Sequence, residues 1–109
     1  MNNYRIMYLR NSKGSPIGCL AIDESRSGTV SFQYSVLNPI DNFKRELSRY
    51  IAIGRLVEKP IHLSVCRTAT RHEVSRQIMS WLANDQLTPS RARRSAAAWL
   101  RTNADKIAA

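Results

Sequence analysis

The segments YRIMYLR (residues 4–10), IGCLAI (17–22) and VSFQYSV (30–36) decide how this chain folds. In the first, Tyr4, Ile6 and Tyr8 recur with a period of two. In the second, Ile17, Cys19 and Ala21 alternate with Gly18, Leu20 and Ile22, and in the third Val30, Phe32, Tyr34 and Val36 share one side. Period two is the repeat of an extended strand, whose successive side chains point to opposite faces. The separators hold Asn11, Gly14 and Pro16, then Ser25 and Gly28, residue types that set or tolerate turn dihedrals. Three strands joined in this way predict an antiparallel meander over residues 4–36. Ser31, Gln33 and Ser35 make one side of the third strand polar, which predicts one solvated and one covered face.

Outward from the meander, the chain offers a cover at once. Asn38 can cap, Pro39 suits the first helical position, and Asp41 follows near the positive end of the helix dipole, so a helix is predicted over 39–57. Ile40, Phe43, Leu47, Tyr50, Ile51, Gly54 and Val57 fall on one arc at about 100° per residue, with Arg45, Arg49 and Ala52 opposite. That pattern predicts the apolar stripe on the sheet, the arginines in solvent, and Gly54 at a close approach to the strands. Ile61, Leu63 and Val65 alternate with His62, Ser64 and Cys66, a fourth strand over 61–66. Thr70 with Glu73 makes a capping box, and Val74, Ile78, Trp81 and Leu82 form the stripe of a helix over 71–84. Thr88-Pro89 repeats the start signal for a basic helix over 89–107, with Leu87 stapling on Ala92 and with Ala92, Ala96, Trp99, Leu100 and Ile107 inward. The expected architecture is a single α+β domain: a three-stranded antiparallel meander covered by a helix, a fourth strand, then a C-terminal helical hairpin.

Composition agrees with one folded unit. The chain has 109 residues, 43% of them hydrophobic and 23% charged, with four Gly and four Pro, values typical of a globular chain with one core. No apolar run is long enough to span a bilayer, and the opening residues lack a basic stretch followed by an apolar core, so no membrane partner and a cytoplasmic address are expected. Cys19 and Cys66 are the only cysteines, and two thiols in such a chain are expected to be reduced and buried.

Charge carries the functional signal. Seventeen Lys and Arg against eight Asp and Glu give a formal net charge of +9, an excess that repels itself in a compact chain and attracts polyanions. Residues 61–109 hold Arg67, Arg71, Arg76, Arg91, Arg93, Arg94, Arg101 and Lys106 against Glu73, Asp85 and Asp105. Arginine presents a planar fork that grips phosphate and stacks on bases, whereas lysine is the commoner choice for solubility alone. No acid lies between Gln86 and Ala104. Arg91, Arg94 and Arg101 share one helical face with Arg93 beside it, near the hydroxyls of Thr88 and Ser90. These four are the expected contact surface, with Arg45, Arg49, Arg67, Arg71 and Arg76 as its extensions, and Arg5, Arg10, Lys13 and Arg26 at a sheet edge or in loops.

Other chemistries find less support. Two helices with the second one basic also describe a helix-turn-helix, but that start offers Arg, Ser and Ala, suited to backbone contacts rather than base readout, so a plain hairpin is preferred. Cys19, His62, Cys66 and His72 show no metal-ligand spacing. No Gly-rich phosphate loop occurs, and no motif joins Ser, His and Asp, so neither a cofactor nor an enzymatic activity is expected. Trp81 and Trp99, on apolar stripes, are expected in the core.

The run Asn38-Pro39-Ile40-Asp41-Asn42-Phe43, the run Ser48-Arg49-Tyr50-Ile51-Ala52-Ile53-Gly54-Arg55-Leu56 and the Pro16-Ile17-Gly18-Cys19 segment resemble short uncharacterised proteins encoded by tailed bacteriophages, over residues 4–57. The resemblance implies a small protein acting in the bacterial host cytoplasm, on nucleic acid or on a host machine that handles it. Together with the arginines it sets two expectations. The first is a non-enzymatic regulatory protein that binds DNA, RNA or a nucleoprotein machine. The second is an inhibitor of a host complex, such as an RNA polymerase, a nuclease or a CRISPR-type defence assembly, that docks on an acidic protein surface. Leu56 beside Arg45 and Arg49 suggests a mixed apolar and basic contact for the second. A third expectation is a self-associating structural protein, with a homodimer among the expected partners.

Overall fold

The computed structural model describes residues 4–37 and 42–103. Four strands, β1 (Arg5–Arg10), β2 (Pro16–Arg26), β3 (Thr29–Val36) and β4 (Ile61–Ser64), form one sheet. Helix α1 (Arg45–Glu58) lies between β3 and β4 in the chain, and α2 (Arg71–Asn84) and α3 (Ser90–Thr102) follow. The strand order β1-β2-β3-β4 is antiparallel throughout, with Met7 opposite Leu20, Leu20 opposite Tyr34, and Phe32 opposite Ile61. The predicted α+β meander, fourth strand and C-terminal hairpin are therefore all present.

Helices cover both faces of the sheet. On one, Leu20 and Ile22 of β2 and Val30 and Phe32 of β3 form a core with Val74, Ile78, Met79 and Leu82 of α2 and Ala92 and Ala96 of α3. Trp81 packs edge-on against Phe32 at 5.4 Å, and Trp99 and Leu100 flank the same cluster, so both tryptophans belong to the core as expected. On the other face, the small residues Cys19 and Ala21 receive Ala52 and Leu56 of α1, with Tyr4, Ile6, Tyr8 and Ile53 around them. β2 is buried from Ile17 to Ile22 because each face of it meets a helix layer.

This arrangement corrects the sequence reading of α1. The helix begins at Arg45 after an extended Lys44 that makes no side-chain cap; the Asn38-Pro39 start signal, with Ile40 and Asp41, lies outside the described residues. The face it buries is Ala52 and Leu56, while Leu47, Tyr50 and Val57 of the expected inward stripe are exposed, Tyr50 by 78%. Gly54 is open too, with nothing near a would-be Cβ, so it marks no close approach to the strands. The physical reason lies in β3. Its large apolar side is taken by the hairpin, which leaves its polar side for α1, and the contacts there are polar and short. Ser35 Oγ donates to Ser48 O at 2.9 Å, Gln33 Nε2 donates to Lys59 O at 2.7 Å, and Arg55 Nη1 donates to Tyr34 O at 2.9 Å. Hydrogen bonds satisfy this face, so it needs neither solvent nor large side chains to cover it.

Other boundaries differ more modestly. β2 runs on to Arg26 through an irregular register after Asp23, and the reversal is tightened to residues 27–28, with Gly28 at φ +83°. β4 ends at Ser64; beyond it the Val65 N–H donates to Gly28 O. Helix α2 spans the predicted 71–84 with Thr70 Oγ1 accepting from Glu73 N. Helix α3 begins at Ser90 with Pro89 as N-cap, and residues 104–107 of the predicted helix lie outside the described residues. Leu87 is 90% exposed and staples nothing, and Cys66 is exposed rather than buried. Among the described residues, no helix is long and apolar enough to cross a membrane.

The orientation of α1 predicts an inverted mutational ranking. Leu56→Ala is expected to cost about 2–5 kcal/mol, and Tyr50→Ala to stay within about 0.5 kcal/mol, in urea unfolding followed by circular dichroism. The opposite ranking would restore the stripe read from the sequence.

Candidate functional site

A cavity of about 360 Å³ opens between the β1–β2 turn and α3, lined by Arg10, Asn11 and Ser12 on one side and Arg91, Arg94 and Arg101 on the other, over Ala97, Ala98 and Ile17. It follows from local structure on both sides. In the turn, Asn11 Oδ1 accepts from the N–H groups of Lys13 and Ser15, and Gly14 takes the left-handed conformation at φ +81° that L side chains avoid. The tightened turn aims the end of β1 at α3. There the buried Ser95 Oγ accepts from Arg10 N at 3.0 Å, a link between residues 85 apart in the chain. Helix α3 comes this close because its inward face is built of the small residues Ala92, Ser95 and Ala96.

Among the described residues, no carboxylate lines the cavity. The ion pair found among the described residues joins Arg5 to Glu24 at the other end of β1. Two of the four guanidinium groups are oriented by backbone carbonyls: Arg10 Nη1 donates to Gly14 O at 2.9 Å, and Arg91 Nη1 donates to Leu37 O. Each of these groups has five N–H donors, so the anchoring bond leaves donors to spare. Arg94 and Arg101 stand exposed on the outer turns of α3. The arrangement is a concave, cationic surface that can accept a small anion from two sides.

Of the arginines singled out from the sequence, Arg91, Arg94 and Arg101 are brought together here. Arg93 is not: it lies on the far flank of α3, half-buried, with its Nε lacking a hydrogen-bond partner. Arg71 and Arg76 are exposed on α2, and Arg67 sits in the β4–α2 loop with its side chain beside Gly28; none of the three lines the cavity. Arg45 and Arg49 are on α1, across the sheet, with Arg45 over the ring of Tyr8 at 5.1 Å. They do not extend the patch, because the alternation that faces Leu20 toward the hairpin faces Cys19 and Ala21 toward α1. Leu56 is buried and offers no mixed surface with them. The Thr88 hydroxyl is buried and donates to Asp85 Oδ2, so it is not free for an anion. Arg10, by contrast, joins the site through tertiary contact across the length of the chain, a placement that local sequence does not signal.

A second polar feature was invisible to motif reading. Asp23, Ser31 and His62 are directly opposite one another across β2, β3 and β4, with Ser31 Oγ and His62 Nδ1 2.8 Å apart. The serine stands between the other two, and the Asp23 carboxylate accepts from the N–H and hydroxyl of Ser25. The imidazole is thus not oriented by the carboxylate, unlike the nucleophile–base–orienter chain of acyl-transfer sites. The Ser25 hydrogen bonds, aided by Arg26, hold the Asp23 carboxyl below its ordinary value of 3.8. The other histidine, His72, packs tilted against Trp99, ring centroids 5.5 Å apart, with its Nε2 buried. Among the described residues, no three His, Cys, Asp or Glu side chains are grouped to hold a metal ion.

No family model matches the chain, and no curated protein or solved structure matches it either.

Two outcomes follow. Ser95→Ala strands the Arg10 N–H, a loss expected to cost about 1–3 kcal/mol and to accelerate exchange of that amide in hydrogen-exchange NMR; an unchanged rate would show that Ser95 does not set the cleft. Because the Asp23 carboxyl is lowered on folding, its contribution is present above the unfolded value and is lost as pH falls through the lowered one. The stability gap between the protein and Asp23→Asn should therefore be constant above pH 3.8 and close below it.

Proposed function

We propose that this chain is a small non-enzymatic protein that binds nucleic acid, DNA or RNA, through phosphate contacts in the cleft of Arg10, Arg91, Arg94 and Arg101, in a regulatory role. The observation that carries the reading is the convergence of these four side chains, from two distant parts of the chain, on one cavity whose lining, among the described residues, holds no carboxylate. Guanidinium groups that share one cavity, two of them anchored on backbone carbonyls, favour an anionic ligand, and the fork geometry of arginine favours phosphate. A net charge of +9 adds long-range attraction to a polyanion. The resemblance of residues 4–57 to small proteins of tailed phages suggests the bacterial host cytoplasm as the setting.

One observation favours a second reading, in which the chain inhibits a host complex such as an RNA polymerase, nuclease or CRISPR-type assembly by direct protein contact. The outer side of α1 exposes Leu47, Tyr50 and Val57, and exposed apolar side chains gathered on one helix suit a protein partner better than phosphate. A partner retained from nuclease-treated bacterial lysate and lost on Tyr50→Asp would favour this reading.

For the first, binding is to be followed against salt. Affinity should fall steeply as salt rises, and Arg94→Ala and Arg101→Ala should each reduce the slope of log affinity against log salt by about 1. Arg45→Ala, across the sheet, should leave the slope unchanged. Affinity that is weak and insensitive to salt would remove the reading.

A further inference from the structure

We infer that the cleft receives one unstacked nucleotide of a single strand rather than the backbone of a duplex, an inference that rests on the reading of the cleft as a phosphate site. The first ground is shape. A helix that reads a duplex must enter the major groove, about 12 Å wide, with its contact face leading. The face of α3 that carries Arg91, Arg94 and Arg101 is instead bordered across the cavity by Arg10, Asn11 and Ser12 of the β1–β2 turn, so α3 does not present that face alone.

Size and chemistry supply the second ground. A cavity of about 360 Å³ lies in the range of pockets that enclose a small organic ligand, roughly 300–1,000 Å³, whereas a phosphate alone would leave most of it empty. Its apolar lining is made by Ala97, Ala98 and Ile17, and four arginines with Asn11, Ser12 and Ser95 make the polar remainder. Bases pulled from a stack pack on apolar floors and on the planes of arginines, and neighbouring phosphates are held by the same residue type. In a paired duplex the bases are not free to enter. Both α3 residues at the floor are alanine, and any larger side chain there would fill the space the base requires.

The test is fluorescence anisotropy at low salt with a short labelled single strand, as DNA and as RNA, against a blunt duplex of the same sequence. The single strand is expected to bind at least about tenfold tighter than the duplex. Ala98→Leu, which fills the floor without changing charge, is expected to abolish that preference while thermal melting shows the variant folded. Should Ala98→Leu not fold, the unaltered protein still answers: the single strand should shift the NMR signals of Ala97 and Ala98, and signals unmoved at its saturation would overturn the inference. A duplex bound as tightly as the single strand, with Arg94→Ala and Arg101→Ala still weakening it, overturns the single-strand assignment and leaves the phosphate site standing. Absence of binding to either polymer overturns both.

Discussion

The double burial of β2 is the constraint on which the rest of this structure depends. From Ile17 to Ile22 every residue is shielded, so neither face tolerates an unsatisfied polar group or a misfitting side chain. One face meets this demand with volume, Leu20 and Ile22 against the α2–α3 hairpin, at about 1.5–3 kcal/mol for each large side chain buried. The other meets it with closeness. There Cys19 and Ala21 let α1 approach, and the Ser48 hydroxyl, which donates to Ser35 Oγ at 2.7 Å, also lies 3.3 Å from Cys19 Sγ. Gly18 is required for the same reason, since a Cβ at that position would fall 2.1 Å from the Ser35 carbonyl oxygen. With β2 held in this way, Ile17 enters the cleft floor and the preceding turn has a fixed base.

The electrostatics of α3 run against its own stability. Arg91, Arg93 and Arg94 occupy its first turns and no acid balances them there, although cations near a helix N-terminus are disfavoured by some 0.3–1 kcal/mol each at low ionic strength. A helix selected for folding alone would place carboxylates at that end. Arg101, in the last turn, has the favourable sign. The cost at the N-terminal end is offset elsewhere, by the buried Ala92, Ser95 and Ala96 and by the packing of Trp99 and Leu100. An anion between the helix and the β1–β2 turn would relieve both the dipole penalty and the mutual repulsion of the guanidinium groups.

Much of the fold was legible because local and tertiary preferences agree. The period-two segments became strands, and the Thr70–Glu73 capping box started α2 at the residue it marks. Helix α1 shows where legibility stops. Its arc Leu47–Tyr50–Val57 is a valid amphipathic stripe, yet the surface presented by the sheet was already claimed by a hairpin thirty residues further on, and periodicity does not encode which helix reaches a face first. Ser31, Gln33 and Ser35 looked solvated for the same reason: polar side chains facing water and polar side chains facing a helix backbone have one sequence signature. Three cleft arginines share one helix and were found by their spacing. Arg10 had no such signal, because its membership depends on Ser95, and the wall that separates a cleft from an open basic helix is a tertiary object.

The cleft is assembled from the first strand and turn of the fold and from its last helix, joined by the Arg10–Ser95 hydrogen bond. The sheet between them pairs strands in chain order, and neighbours in sequence meet cheaply and early during folding. Closure of the two ends over one another joins residues 85 apart in the chain and carries a correspondingly large loop entropy to overcome. A chain emerging from the ribosome therefore holds all three strands of the meander before it holds the helix that closes the cavity. Any local opening that frees this helix dismantles the cavity and uncovers the part of the sheet core that Ala92 and Ala96 close, so the shape of the cleft hangs on a single helix seam.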